Sequence, residues 1–195
     1  MKEEEILALL RLQKTPMIGD IIAKKLINYA GSALDIFKEK KHMLQKINGI
    51  GKQTLQHLFD DSNQHLAEVE YRYIKKNKIE YSYFLDKDYP QNLKHCVDAP
   101  ILFFKDGTID FSNDRIISIV GTRKMTNYGS SFCEKLIDEL AVYNPIIVSG
   151  FAYGIDICAH KSAIRNNLQT IAVLAHGLEN IYPKTHKKYI HNVNK

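Results

Sequence analysis

Two rhythms of apolar and polar residues divide this chain. Up to about residue 76, apolar side chains recur every three or four positions, the spacing of amphipathic helices: Ile6, Leu7, Leu9, Leu10 and Leu12 over 3–13, Ile21, Ile22, Leu26 and Tyr29 over 20–29, and Leu34, Ile36 and Phe37 over 33–40. A longer pattern over 55–76 uses Leu58, Leu66, Val69, Tyr73 and Ile74, and the polar cluster Asp60-Asp61-Ser62-Asn63 divides it, with Asp61 or Ser62 placed to cap its second half. From Ile79 the runs shorten into strand-like segments: Ile79 to Leu85, Ile101 to Phe104, Ile116 to Val120, Ile146 to Val148 and Thr170 to Ala175. Helical patterns over 131–142 and from about Asp156 separate the last three, which is the order of a parallel sheet with crossover helices. Asp106-Gly107, between Leu102-Phe103-Phe104 and Ile109 to Phe111, reads as a hairpin turn. The fold class is therefore α/β with a mostly parallel sheet, preceded by a small all-helical domain. The division is 1–70 and 71–195, with the boundary between 61 and 78.

The helical part holds an internal repeat. Residues 12–19 and 44–51 align at an offset of 32, pairing Leu12 with Leu44, Gln13 with Gln45, Lys14 with Lys46, Ile18 with Ile50 and Gly19 with Gly51. The second copy, Ile47-Asn48-Gly49-Ile50-Gly51-Lys52, resembles the hairpin of helix-hairpin-helix (SAM-like) nucleic-acid modules. Its glycines allow a tight turn and the amides opening the next helix can hold a phosphate oxygen, so Gly49, Gly51 and Lys52 are candidates for an accessory DNA contact. The first copy has Met17 and Asp20 in place of the first glycine and the lysine, and a carboxylate repels phosphate. Packing of short helices is the competing role for both hairpins. Tyr71, Tyr73, Tyr81 and Tyr83 pose the same choice between a base-stacking surface and a filled interface.

Composition changes the picture little. The 195 residues are 45% hydrophobic, enough for a core, and carry a formal charge of +5, of which residues 1–70 contribute nothing and residues 71–195 all. A surplus on the sheet region suits a polyanionic partner. The cysteines Cys96, Cys133 and Cys158 have no metal-ligand spacing and are read as reduced core residues, so no metal is expected. The start, Met1-Lys2-Glu3-Glu4-Glu5, is acidic where a secretory signal is basic, and no apolar run spans a bilayer, so the expectation is a cytoplasmic protein without a membrane contact.

Two glycine turns concentrate the chemistry at the carboxyl ends of the parallel strands, where such sheets bind ligands. Gly121-Thr122-Arg123 offers a close backbone approach and a forked cation, and leads through Tyr128-Gly129 to a helix capped by Ser130 or Ser131. Ser149-Gly150-Phe151-Ala152-Tyr153-Gly154-Ile155-Asp156 opens a second helix, with His160 and Lys161 following, and lines up backbone donors, a helix start and a lysine for an anion. Asp156 fits as a helix cap or loop staple. His176 at the end of the third run can contact phosphate or base, or cap its loop. There is no Gly-x-Gly-x-x-Gly, no P-loop and no Gly-x-Ser-x-Gly, so a dinucleotide, nucleotide-triphosphate or hydrolase site is not supported and no cofactor is expected.

Taken together, Ile119 to Arg123 with Tyr128-Gly129, then Ser149 to Asp156 with Ala159-His160-Lys161-Ser162-Ala163, then Thr170 to Leu174 with Gly177-Leu178 and Tyr182-Pro183, resemble the DNA-processing protein A (Smf) family. Upstream, Tyr89-Pro90, Leu93, Ala99 to Phe103 and Gly107 fit its lead-in strands. The resemblance implies an extended Rossmann-like, three-layer core without enzymatic activity. It further implies single-stranded DNA binding, protection of DNA and loading of RecA during natural transformation or recombination, and a homodimer in a full-length form. The implied DNA and phosphate contacts are Gly121, Thr122, Arg123, Ser149, Gly150, Phe151, Ala152, Gly154 and Lys161, supported by Tyr128, Tyr153, Asp156, His160 and His176. Tyr153 stands where the family often has arginine, exchanging charge for stacking. Family members continue beyond the position of Lys195, so a fragment or shortened form with an exposed sheet edge is expected. The alternatives are a nucleotide-processing enzyme of the nucleoside-monophosphate phosphoribohydrolase kind, with Ser149 or Asp156 in the reaction, or a recombinase-binding module without DNA affinity.

Overall fold

The computed structural model describes residues 2–193 except Asp110 and Ser112, and the chain forms two compact units, Met1–Lys105 and Asp106–Lys195. In the first, α1 (Glu3–Lys14) carries Glu3, Glu4 and Glu5 in its first turn and Arg11 and Lys14 in its last, matching the helix dipole, and buries Leu9 and Leu12 completely. α2 (Asp20–Ala30) ends on Gly31 in the left-handed region, whose amide donates to Ile27 O. α3 (Ala33–Ile36) is capped twice, by the Ser32 hydroxyl on Asp35 N and by the Glu5 carboxylate, which accepts from the amides of Ala33 and Leu34 at 2.8 and 3.1 Å. α4 (Lys41–Leu44) and α5 (Lys52–Leu58) flank the second hairpin. α6 (Asp61–Asn77) is capped by Asp60, which accepts from Ser62 N, one position before the expected caps.

The sheet-like end of this unit corrects two expectations. β1 (Glu80–Tyr83), the short α7 (Gln91–Lys94) and β2 (Leu102–Lys105) follow, and β2 pairs antiparallel with β1, Tyr83 opposite Leu102. The Asp106-Gly107 turn therefore does not join β2 to a strand over 109–111: Ile109 and Phe111 lie outside strands, and Asp110 is outside the described residues. Tyr83, Ile101 and Leu102 belong to the same apolar core as Leu9, Leu26 and Leu58. Two polar ties reinforce that attachment, Gln13 Nε2 donating to Leu102 O at 2.8 Å and Ile101 N donating to the Asp20 carboxylate at 2.8 Å. The break between units consequently falls at 105/106, past the 61–78 window. Tyr83 is buried and Tyr71 and Tyr81 half-buried against this core, so these rings fill the unit rather than present a stacking surface.

In the second unit β3 (Ile116–Ser118), α8 (Asn127–Leu140), β4 (Ile146–Ser149), α9 (Ile155–Arg165) and β5 (Thr170–Ala172) form an all-parallel three-stranded sheet in the order β3-β4-β5. A 3-10 turn over Lys184–Tyr189 and α10 (Ile190–Val193) follow. Ile147 on the sheet meets Cys133 and Ile137 of α8 and Cys158, Ala159 and Ala163 of α9 in one dry cluster. On the opposite face Val148 and Ile171 are half-buried and Ser118 is exposed. Of the cysteines, Cys133 and Cys158 are buried as expected, whereas Cys96 is exposed just past α7. Among the described residues no helix is long and apolar enough to cross a membrane.

Candidate nucleic-acid interface

The ends of β3 and β4 are locked together by their two glycine turns. Gly154, at φ 80°, lies so close to the other turn that a Cβ there would run into Thr122 O and sit 2.8 Å from Arg123 Cα. Ile155, the next residue, donates its amide to Thr122 O at 3.2 Å. Across the same seam a Cβ on Gly121 would lie 2.7 Å from Ile155 Cβ, and Gly129 faces Ile155 Cδ1. Gly154 thus requires glycine because its backbone touches that of the other turn, and Gly121 because the Ile155 side chain fills the space beside it, nonlocal reasons that turn propensity alone does not supply.

Beneath this seam the polar groups are committed to structure. Ser149, 3% exposed, donates to Ile119 O at 2.6 Å and so ties β3 to β4, which corrects its assignment as an open phosphate donor. Asp156 accepts from Ala152 N at 3.4 Å and its Oδ2 occupies the space where a Gly150 Cβ would project, so it is the loop staple that the sequence allowed. Phe151 is buried at φ 61°, with the rings of His160 and His186 at 5.4 and 5.5 Å. Thr170 Oγ1 donates to Ile147 O, which leaves its lone pairs to accept from His160 Nδ1–H at 2.7 Å. Burial pushes the His160 pKa down to about 4, against the opposing pull of the Asp156 carboxylate. His160 is therefore a neutral interior residue rather than a ligand contact.

Sequence reasoning missed His186 and Thr126. The His186 ring donates from Nδ1 to Phe151 O at 2.9 Å, a contact spanning 35 residues that leaves no local signal. Thr126 does leave one, because its side chain accepts from Gly129 N in the pattern of a helix cap. α8 thus starts at Asn127, and Tyr128-Gly129 belong to its first turn, not to the loop before a helix at Ser131.

What remains exposed is basic and aromatic. Gly121, Thr122, Arg123, Lys124 and Tyr128 are all open to solvent, and among the described residues neither Arg123 nor Lys124 forms an ion pair. The amides of Gly150, Phe151 and Tyr153 make no backbone hydrogen bond among the described residues, whereas Ile157 N of α9 is already taken by Ala152 O. Lys161 is exposed nearly two turns into α9, further along than the one turn expected. Tyr153 packs edge-on against Tyr182 and His186. His176 lies in the loop beyond β5, its ring nitrogens 3.2 Å from Gly177 O and 3.4 Å from Tyr182 O, where it holds that loop. Gly49, Gly51 and Lys52 sit in the first unit, Gly49 at φ 95° and Gly51 as the N-cap of α5. Among the described residues no three His, Cys, Asp or Glu side chains are grouped to hold a metal ion.

The model of the DNA recombination-mediator protein A family matches residues 80–195. The chain belongs to that family. Among relatives of the DNA recombination-mediator protein A kind, DNA processing protein DprA of Streptococcus pneumoniae is 40% identical over 104 residues, 53% of this chain and 36% of that protein. Protein Smf of Synechocystis is 29% identical over 183 residues, 90% of this chain and 45% of that protein. The chain therefore spans less than half the length of these relatives. The X-ray structure of DprA from Streptococcus pneumoniae superposes on the whole chain with a TM-score of 0.72 at 28% identity, with 65% of that chain covered. DNA processing protein A from Helicobacter pylori, described for its single-stranded DNA binding mode, matches 60% of this chain and 52% of its own at a TM-score of 0.51 and 29% identity.

Proposed function

We propose that this chain binds single-stranded DNA without sequence preference, as the portion of a DNA recombination-mediator protein that serves transformation and recombination. The observation that carries the reading is the locked pair of glycine turns. It presents Arg123 and Lys124, free of carboxylate partners among the described residues, beside the unbonded amides of the exposed Gly150 and Tyr153 at the carboxyl edge of a parallel sheet. Lys161 extends the basic surface along α9. The named binding mode of the Helicobacter pylori relative supports the same substrate. The Rossmann-like three-layer reading of the core, the helix-hairpin-helix reading of 47–52, RecA as partner, a homodimer in a longer form and a cytoplasmic setting belong to this proposal on family grounds. The enzyme alternative finds its groups engaged, Ser149 on Ile119 O and Asp156 on Ala152 N.

The test is affinity for a short single strand across a salt series. Counterion release predicts a linear fall of log affinity with log salt. Replacing Arg123 and Lys161 together by alanine is expected to weaken binding about tenfold or more and to flatten that slope by roughly two phosphate contacts. Affinity that ignores both salt and these substitutions would refute the reading.

A further inference from the structure

The first turns of α8 hold two large aromatic rings that the core does not use. Tyr128 and Phe132, one helical turn apart, are 79% and 57% exposed, and their rings stack with centroids 6.3 Å apart and planes inclined by 26°. The buried stripe of α8 runs through Cys133 and Ile137, so at about 100° per residue the two rings fall about 120–160° from its centre around the helix. Such a pair is pre-oriented: each ring limits the other's freedom, so a flat ligand meets a ready surface at small entropic cost. Its position is fixed by the site already described, since Gly129, between the rings in sequence, packs on Ile155, the residue that joins α9 to Thr122 O.

We infer that Tyr128 and Phe132 are a stacking platform for the unpaired bases of the bound strand, which is held by its bases here and by its phosphates at the glycine turns. The inference rests on the single-strand reading above and adds the part of the polymer that α8 recognises. Charge selects this occupant over a second copy of the chain. From Arg115 to Cys133 the sequence has no Asp or Glu, while Arg115, Arg123 and Lys124 are basic, so the surroundings of the rings favour a polyanion. A planar base has the π-face that an exposed aromatic pair accepts, and a duplex hides that face in its own stack.

The experiment titrates the full chain against an end-labelled oligothymidylate and an abasic strand of the same length, which keeps the phosphates and removes the bases. The wild-type chain is expected to prefer the thymidylate strand about tenfold. The Tyr128→Leu/Phe132→Leu double variant keeps apolar bulk on an exposed helix face but offers no ring, and is expected to bind both strands at the abasic level, whereas Tyr128→Phe retains the preference. A double variant that still prefers the thymidylate strand overturns the platform and leaves phosphate binding standing. A double variant that keeps that preference while sedimenting as a smaller species than wild type also overturns it, and assigns the rings to self-association. Failure of the wild-type chain to bind either strand removes the single-strand reading and the platform with it.

Discussion

Burying an imidazole without a charged partner in hydrogen-bond contact ties folding stability to pH. His160 is fully buried, bonded through Nδ1 to Thr170, and pushed down to about 4 by desolvation. The unfolded chain takes up that proton near 6.5, so between about 6.5 and about 4 the unfolded state binds more protons than the folded one and stability falls as pH falls. Above about 6.5 the contribution is fully present. Urea unfolding compared at about pH 7 and about pH 5 is expected to show a loss of about 2 kcal/mol from this residue. His160→Gln keeps a polar group near Thr170 without titrating, and should remove that share of the pH dependence. Equal slopes for the two proteins would show that His160 is not the group responsible.

At the level of elements, the repeat read from the sequence is a repeat of backbone geometry. Gly19 and Gly51 cap α2 and α5 with nearly the same dihedrals, φ −89°, ψ 176° and φ −91°, ψ 174°. Two residues before each, Met17 and Gly49 both take positive φ, 65° and 95°. Met17 adopts a conformation that glycine takes freely, and its side chain is 60% exposed. Met17→Gly is therefore expected to stabilise the chain by about 0.5–1 kcal/mol, relief of strain outweighing the freer unfolded chain, and a lower urea midpoint would contradict this. The hairpins were legible because turn chemistry is local: Gly49 and Gly51 set the backbone within a few residues of the helix they open. The start of α8 was misread because Tyr128-Gly129 looks like loop sequence, although Thr126 three residues before Gly129 carried the capping signal. The role of Ser149 was not legible at all. Its partner, Ile119 O, lies 30 residues away, and a hydroxyl between a strand and a glycine reads equally well as a ligand donor.

For the molecule as a whole, the position of the break between units changes the electrostatic picture. Counted at 105/106, the first unit has seventeen basic and fourteen acidic residues and the second ten and eight, a surplus of +3 and +2. The apparent confinement of the +5 to the sheet region came from cutting at residue 70, and the case for a polyanion at the glycine turns stands on local geometry instead. The boundary was not legible because it rests on the pairing of β1 with β2 and on the tie between Asp20 and Ile101 N, which links positions 81 residues apart. The consequence can be measured on two shortened chains. A piece ending at Lys105 retains the whole of its own core, while one ending at Lys78 loses Tyr83, Ile101 and Leu102 from it and leaves Asp20 and Gln13 without their backbone partners. Burial of such side chains is worth about 1.5–3 kcal/mol each. The longer piece is accordingly expected to unfold cooperatively in urea, and the shorter to be less stable by about 3 kcal/mol or more, a large share of the stability of a small domain. Equal midpoints for the two would return the boundary to the window between 61 and 78 and make β1 and β2 an appendage rather than a wall of the helical core.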